Sequence, residues 1–150
     1  MIRHALAPGT GDPAHFDIDD CSTQRNLSAE GRRQAVNLGD LFRRNGIERA
    51  EMFSSAWCRC HETAVLMNLG DVRTLPALNS FFEARSREEE QMAALTAWLS
   101  GRQSADPIVL VTHQVNITAL TDVFPGSGEI IFVAEKNGEF RVLDQVDTST

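Results

Sequence analysis

The sequence predicts an α/β fold with three layers, in which helices cover both faces of a mostly parallel central sheet. Short apolar runs typical of buried strands alternate with stretches of helical periodicity, the order that builds parallel sheets. The 150 residues are 42% hydrophobic and 23% charged, which suffices for one sizeable core. We therefore assign residues 1–150 to a single domain, with an antiparallel element near the C-terminus.

The first half of the chain contains three predicted strands and two predicted helices. Ser28 is a favourable helix cap, and Gly46 is suited to the left-handed residue that ends a helix. The polar stretch Pro8–Leu27 is too long for an ordinary connection, so we expect a functional loop over a pocket. The predicted elements are a strand at 1–2, a helix between Ser28 and Gly46, a strand at 51–54, a helix at 58–69 that stops at Gly70, and a strand at 72–75.

The second half adds two helices, one strand and a hairpin. Ser86 and Glu89 have the spacing of a capping box, which predicts a helix that runs to Gly101. Asn137-Gly138 is a strong signal for a tight turn between two strands. The predicted elements are a helix from Ser86 to Gly101, a strand at 108–112, a helix at 116–120 and a hairpin formed by 129–134 and 140–146.

The charge balance limits the class of partner. The formal net charge is −7 and the pI is near 5.0. Nucleic acids and anionic membranes need a basic field, so neither is expected as the main partner. No apolar run approaches the length of a membrane span, and we expect a soluble protein without membrane insertion.

Three cysteines leave the redox compartment open. Cys58 and Cys60 flank Arg59, and Cys21 lies in the long loop. One interpretation is three buried thiols. The other is a disulfide from Cys21 to Cys58 or Cys60, which would indicate an exported protein. Only two residues precede Arg3, so an upstream leader is conceivable; the chain is cytoplasmic as it stands and periplasmic if a leader was removed.

Basic side chains follow several predicted strands at the point where each strand ends. Arg3-His4 follows the first strand and His113 follows Ile108–Thr112, while Arg59 comes soon after another strand. Ligands of open α/β sheets bind outside the carboxyl ends of the strands. The pattern therefore predicts one pocket that binds an anion.

Other anion-binding and catalytic motifs fit the chain poorly. Gly9–Ala14 has dinucleotide-motif spacing, but Pro13 and the acidic surroundings do not open a helix for a pyrophosphate. No cysteine has an arginine six residues on, which excludes the usual cysteine-phosphatase loop. His15 and His61 are not part of a cluster with metal-ligand spacing, so no metal is expected.

Together these motifs resemble the histidine phosphatase superfamily, also called phosphoglycerate mutase-like. The residues that carry the resemblance are Arg3-His4-Ala5, the segment Asn26–Gly31, the segment Ser54–Ala64 and Val111-Thr112-His113. The small size is similar to the branch that includes bacterial phosphohistidine phosphatases. The resemblance implies the phosphoglycerate mutase-like fold and a metal-independent phosphomonoesterase or phosphoramidate hydrolase without a cofactor.

The resemblance also implies roles for individual residues. His4 matches the nucleophile that becomes phosphohistidine, and a neutral imidazole can attack phosphorus. Glu83 is the nearest match to the general acid, although a solvated loop carboxylate is the alternative. The groups that would hold the phosphoryl group are Arg3, Arg59 and His113, and those that would contact substrate from the loop are Thr23, Gln24, Arg25 and Asn26.

Two alternatives to a phosphatase remain from the sequence. A phosphate-binding domain with little turnover would keep the same clamp, and a phosphomutase would return the phosphoryl group to a second hydroxyl. The chain lacks the long insertions of known mutases, which disfavours the second. The expected partner is a small phosphorylated substrate or a phosphoprotein, while its identity and the oligomeric state stay open.

Overall fold

Within residues 1–149, which the structure describes, the computed structural model has one six-stranded sheet and four α-helices. The strands are β1 (Ile2–Arg3), β2 (Glu51–Ser54), β3 (Val72–Thr74), β4 (Ile108–Thr112), β5 (Ile130–Lys136) and β6 (Glu139–Val146). The helices are α1 (Ala29–Arg44), α2 (Cys58–Met67), α3 (Glu88–Leu99) and α4 (Gln114–Thr121).

The sheet has the strand order β3-β2-β4-β1-β5-β6. The first four strands of this order are parallel, β5 is antiparallel to β1, and β6 is antiparallel to β5. This confirms the mostly parallel sheet with an antiparallel element near the C-terminus. Arg3 pairs with Thr112 and Ser54 pairs with Val111, so the carboxyl ends of β1, β2 and β4 lie side by side.

Alternating side chains of the central strands supply two cores. On one face, Met52 and Val109 pack in a cluster with Leu38 and Phe42 of α1 and Met67 of α2. On the other face, the neighbouring residues Phe53 and Leu110 pack with Leu95 of α3. Successive residues of a strand point to opposite faces, so one apolar run serves both layers. The helices therefore cover both faces of the sheet, as the sequence predicts.

Two turn and capping predictions are confirmed. The Ser28 side chain accepts a hydrogen bond from the Gly31 amide at 3.0 Å and caps α1. Asn137 and Gly138 have φ angles of 55° and 78° and form the turn between β5 and β6. In both cases the conformation that the local sequence favours is the one that the structure adopts.

Several predicted boundaries are wrong. Helix α2 ends two residues early because Asn68 takes the left-handed conformation (φ 52°), two residues before Gly70. The predicted capping box does not form, since Ser86 lies inside a 3-10 turn and α3 starts at Glu88 without a side-chain cap. Helix α4 begins at Gln114, directly after the end of β4, and not at Asn116.

None of the helices in the described part of the chain is long and apolar enough to cross a membrane.

Helices α1 and α2 pack closely at a glycine. A Cβ atom on Gly39 would lie 1.9 Å from the Met67 carbonyl oxygen, so only glycine permits this approach. A second such contact lies at the start of α1, where a Cβ atom on Gly31 would lie 2.1 Å from the Leu6 carbonyl oxygen. The two contacts fix α1 against α2 and against the chain that follows β1.

We expect Gly39→Ala to lower the free energy of unfolding by about 1–3 kcal/mol, since overpacking outweighs the better helix propensity of alanine. Urea denaturation would measure the change. The matched control is Asn37→Ala, an exposed position of the same helix, which should be neutral or stabilising. Equal stability of the two variants would contradict the close approach.

Candidate active site

A cavity of about 920 Å³ opens at the carboxyl ends of β1, β2 and β4. Its walls include the four basic groups that the sequence places at or near strand ends, namely Arg3, His4, Arg59 and His113. The loop after β1, the segment before α3 and helix α4 supply the remaining walls. The alignment of adjacent parallel strands thus brings residues distant in sequence into one cavity.

His4 is buried in this cavity as a neutral imidazole. Its Nδ1 lies 2.8 Å from the Ala5 carbonyl oxygen and its Nε2 lies 3.3 Å from Arg59 Nε. A carbonyl only accepts, so Nδ1 carries the proton and Nε2 keeps its lone pair. Burial lowers the His4 pKa to about 3, and the nearby Arg59, Arg3 and Arg25 charges lower it too, outweighing the opposite effect of the Ala5 hydrogen bond.

His113 lies between the end of β4 and the first turn of α4. Its Nε2 is 2.8 Å from Ser55 Oγ, and its ring meets the His4 ring edge-on at 5.7 Å. Burial first, and then the positive charges of nearby arginines including Arg59, hold the His113 pKa well below its ordinary value. Ser55 was not among the predicted site residues; its place directly after β2 is the signal that would have found it.

The Arg59 side chain donates four hydrogen bonds within the site. It lies in the first turn of α2 and its side chain is 4% exposed. Its Nε donates to His4, while Nη1 and Nη2 donate to Asp12 Oδ1 and Oδ2 at 2.8 and 3.3 Å. Nη1 also donates to the Arg25 carbonyl oxygen at 3.3 Å. All three guanidinium nitrogens are therefore engaged.

Asp12 is a second site residue, after Ser55, that the sequence analysis missed. Its carboxylate also accepts from the Arg25 amide at 3.1 Å and from the Trp57 indole nitrogen at 3.0 Å. Burial acts to raise the Asp12 pKa, but hydrogen bonds from Arg59, Arg25 and Trp57 and the Arg59 charge lower it below its usual value. The sequence offered one signal, an acidic residue inside the loop expected to cover an anion pocket.

Arg3 and Arg25 both line the cavity and also bond to backbone carbonyls. Arg3 Nη1 donates to Pro125 at 2.8 Å, while its buried Nε has no hydrogen-bond partner among the described residues. Arg25 Nε donates to Gly11 at 2.7 Å and its Nη1 donates to Ala7. Arg3 thus retains donor capacity for a ligand, and Arg25 holds the loop in shape.

The other predicted site residues lie either on the cavity wall or within the long loop. Glu83 is exposed on the cavity wall. Thr23 and Asn26 are not among the residues that line the cavity, and their side chains bond to the loop backbone: Thr23 Oγ1 donates to the Asp20 carbonyl oxygen and Asn26 Nδ2 to that of Cys21, both at 2.7 Å. Their contact with a substrate stays a prediction. Gln24 is buried and accepts from the Cys58 amide at 3.0 Å.

A disulfide joins the long loop to α2. It links Cys21 to Cys58, the first residue of α2, and Cys60 stays a buried free thiol. Burial raises the Cys60 pKa to about 12, although the Arg59 charge acts in the opposite direction. Of the two pairings that the sequence left open, the structure has Cys21–Cys58 and not Cys21–Cys60, and this bond fixes the loop near the site.

The described residues contain no group of three or more histidine, cysteine, aspartate or glutamate side chains that could hold a metal ion.

Comparisons with known proteins place the fold and the family. The protein histidine phosphatase SixA, solved with tungstate, superposes with a TM-score of 0.65 at 16% identity, over 98% of this chain and 94% of that one. The mycobacterial glucosyl-3-phosphoglycerate phosphatase Rv2419c, solved with VO3, gives 0.67 at 19% identity over 94% of each chain. The Mycobacterium tuberculosis open reading frame Rv3214 gives 0.69 at 14% identity, over 95% and 93%.

Of the two sequence comparisons, one identifies a family. The search of curated proteins found no significant match. The family model described as histidine phosphatase superfamily (branch 1) matches residues 1–82, which include Arg3-His4, the long loop and Arg59. Glu83 and His113 lie beyond the matched residues. Since this match covers more than half of the 150 residues, the chain belongs to the histidine phosphatase superfamily.

Proposed function

We propose that this protein is a metal-independent phosphatase that acts through a phosphohistidine intermediate on His4. The observation that carries the proposal is the state of His4, a neutral imidazole on the cavity wall whose Nε2 is unprotonated and accepts a 3.3 Å hydrogen bond from Arg59, which an attack on phosphorus would replace. Burial beside three arginines keeps this ring neutral and therefore nucleophilic near neutral pH. Membership of the superfamily supports the same chemistry.

The proposed reaction has two displacements at phosphorus. In the first, Nε2 of His4 forms the N–P bond as the bond from phosphorus to the leaving group breaks. In the second, water attacks the phosphohistidine and gives a proton to the Glu83 carboxylate that protonated the leaving group, the N–P bond breaks, and inorganic phosphate leaves with His4 and Glu83 restored. Arg59 and the unpartnered Nε of Arg3 would donate to the phosphoryl oxygens and stabilise their charge in both steps.

Glu83 is the proposed general acid. It lies exposed on the cavity wall, where it can reach a leaving group that points toward solvent. A proton from Glu83 would neutralise a departing alkoxide. Aryl and phosphoramidate leaving groups need this proton less, so the dependence on Glu83 should follow the basicity of the leaving group.

The cavity supports a phosphorylated substrate with a sizeable leaving group. A volume of about 920 Å³ is far larger than a phosphoryl group requires. Similar folds include a protein histidine phosphatase and a glucosyl-3-phosphoglycerate phosphatase. We therefore propose a small phosphomonoester or a phosphorylated protein as the substrate.

For the location of the protein, the Cys21–Cys58 disulfide favours an oxidising compartment, because disulfides persist in such environments.

A phospho-ligand-binding domain without turnover is the second candidate function. The observation that favours it is the engagement of both Arg59 Nη atoms by Asp12, which reduces the donors available for a transition state. Turnover separates the two candidates, because a binding domain would retain a phosphate analogue but release no inorganic phosphate.

The first prediction from the proposed function concerns His4 itself. With EDTA present, the wild-type protein should hydrolyse a generic aryl phosphate, and His4→Ala should lose this activity by about 10³-fold or more, as expected when a nucleophile is removed. The matched control is His15→Ala, because His15 is an exposed histidine of the loop. Full activity in His4→Ala would contradict the proposal that His4 is the nucleophile. Loss of wild-type activity in EDTA would contradict metal independence alone.

The second prediction follows from the neutral state of His4. Below about pH 6.5 the unfolded chain binds a proton at this residue that the folded chain does not bind, so stability falls on acidification. Above that pH neither state is protonated and the contribution is constant. Each such histidine adds a slope of about 1.4 kcal/mol per pH unit in the acid range.

Urea denaturation between pH 4.5 and 6.5 checks this slope. We expect His4→Asn to show a shallower loss of stability on acidification than the wild type, and the exposed-site control His15→Asn to keep the wild-type slope. Parallel slopes for the wild type and His4→Asn would contradict the neutral buried imidazole.

The third prediction tests the role of Glu83. Glu83→Gln should slow an alkyl phosphate, a poor leaving group, by about 10²-fold or more, and an activated aryl phosphate by only a few fold. Glu88→Gln is the control, since Glu88 is another exposed carboxylate of the same cavity. Equal slowing of both substrates by Glu83→Gln would assign Glu83 to binding and not to proton transfer.

A further inference from the structure

We propose that Asp12 is an internal counter-anion of the phosphoryl site, which holds Arg59 and is exchanged for phosphoryl oxygens when a ligand binds. The inference rests on the proposed function for the identity of the ligand. It adds a residue that sets how tightly the site holds an oxyanion. Its basis is the geometry of Asp12 around the arginine.

Asp12 meets Arg59 as a phosphoryl group would. Its two oxygens take the two Nη atoms of Arg59, at 2.8 and 3.3 Å. Two parallel N–H···O bonds of this kind are the arrangement by which arginine binds carboxylates and phosphates alike. The Asp12 side chain is 11% exposed, so little solvent screens the pair.

An oxyanion at His4 competes with this contact. Nε of Arg59 already points to His4 Nε2, the atom that the phosphorus must approach. The other donors of Arg59 are on its two Nη atoms; Asp12 accepts from both, the Arg25 carbonyl takes the second N–H of Nη1, and one N–H of Nη2 is left for a ligand. A phosphoryl group can therefore gain the full guanidinium only when the carboxylate withdraws.

The two halves of the loop are held by different contacts. Further along the loop, the disulfide ties Cys21 to α2 and Gln24 bonds to the Cys58 amide. The segment around Asp12 has glycines at positions 9 and 11, with φ angles of 100° and 68°, and is held by Arg25, which donates to the Gly11 and Ala7 carbonyl oxygens. Withdrawal of the carboxylate would therefore leave the disulfide-linked half in place and require a change only in the segment that Arg25 holds.

The remaining partners of Asp12 hold the carboxylate in place without needing its charge. The indole nitrogen of Trp57 and the amide of Arg25 donate to it, and Phe16 stacks on the Trp57 ring at 5.1 Å. An asparagine at position 12 keeps the shape and one acceptor oxygen, which can serve the Arg25 amide or the Trp57 indole but not both, because they donate to different oxygens of Asp12. Asp12→Asn therefore removes the charge and one acceptor and weakens the hold of position 12 on Arg59.

The experiment is calorimetric titration of the purified full chain with sodium tungstate, which needs no turnover. Asp12→Asn should bind tungstate about 10- to 100-fold more tightly than the wild type, the range set by hydrogen bonds to a charged group. The control is Asp122→Asn, on the wall of the same cavity, where the left-handed backbone (φ 60°) suits asparagine. This control makes the same change in net charge and should alter affinity by less than about twofold.

A second variant guards against a folding defect in Asp12→Asn. Trp57→Phe removes one donor to the carboxylate but keeps a ring against Phe16, and it should tighten tungstate binding in the same direction by a smaller factor. Thermal unfolding verifies that each variant is folded. Unchanged or weaker binding in folded Asp12→Asn, or in Trp57→Phe if the first does not fold, overturns the inference.

The outcomes keep this inference apart from the proposed function. If the wild type hydrolyses an aryl phosphate but Asp12→Asn binds tungstate no more tightly, the counter-anion role fails and the phosphatase stands. If tungstate binding tightens in Asp12→Asn while no variant shows turnover, the counter-anion role stands and the phosphatase fails. Absence of tungstate binding in the wild type and in both variants overturns both.

Discussion

The burial of Arg59 is the constraint on which the rest of the site depends. A guanidinium that is 4% exposed needs acceptors for its nitrogens, because a buried charge without partners is costly. The acceptors come from three places in the chain: His4 after β1, Asp12 in the long loop, and the Arg25 carbonyl just before α1. One side chain therefore joins the end of a strand, the covering loop and the start of α2, and it fixes the direction of the His4 lone pair.

The parallel sheet makes this burial possible. Because β1, β4 and β2 are neighbours in register, the residues that follow them leave the sheet at one edge, and His113 comes into contact with both His4 and Ser55. The same crowding of positive charge and apolar packing keeps both histidines neutral. In the proposed function, the internal carboxylate would compete with a bound oxyanion for the arginine donors and so ease its release.

The fold was accessible from the sequence wherever the signal was local or periodic. The Asn137-Gly138 turn, the Ser28 cap and the apolar run of β4 specify their own conformations over a few residues, and the structure has all three. The capping box at Ser86 failed because the chain forms a 3-10 turn there, and the end of α2 moved because Asn68 took the left-handed role expected near Gly70. Motif signals alone did not place Thr23 and Asn26, whose side chains bond within the loop.

The sequence by itself determined the order of strands and helices and the convergence of Arg3, His4, Arg59 and His113, since strand ends and parallel pairing follow from local pattern. Only the tertiary structure decided which cysteine pairs with Cys21, where Asp12 lies, and which donors of Arg59 are free. These depend on the path of a long loop with little periodic signal. The energy that places such a loop comes from a few contacts between residues distant in sequence, and such contacts exist only once the sheet and helices have assembled.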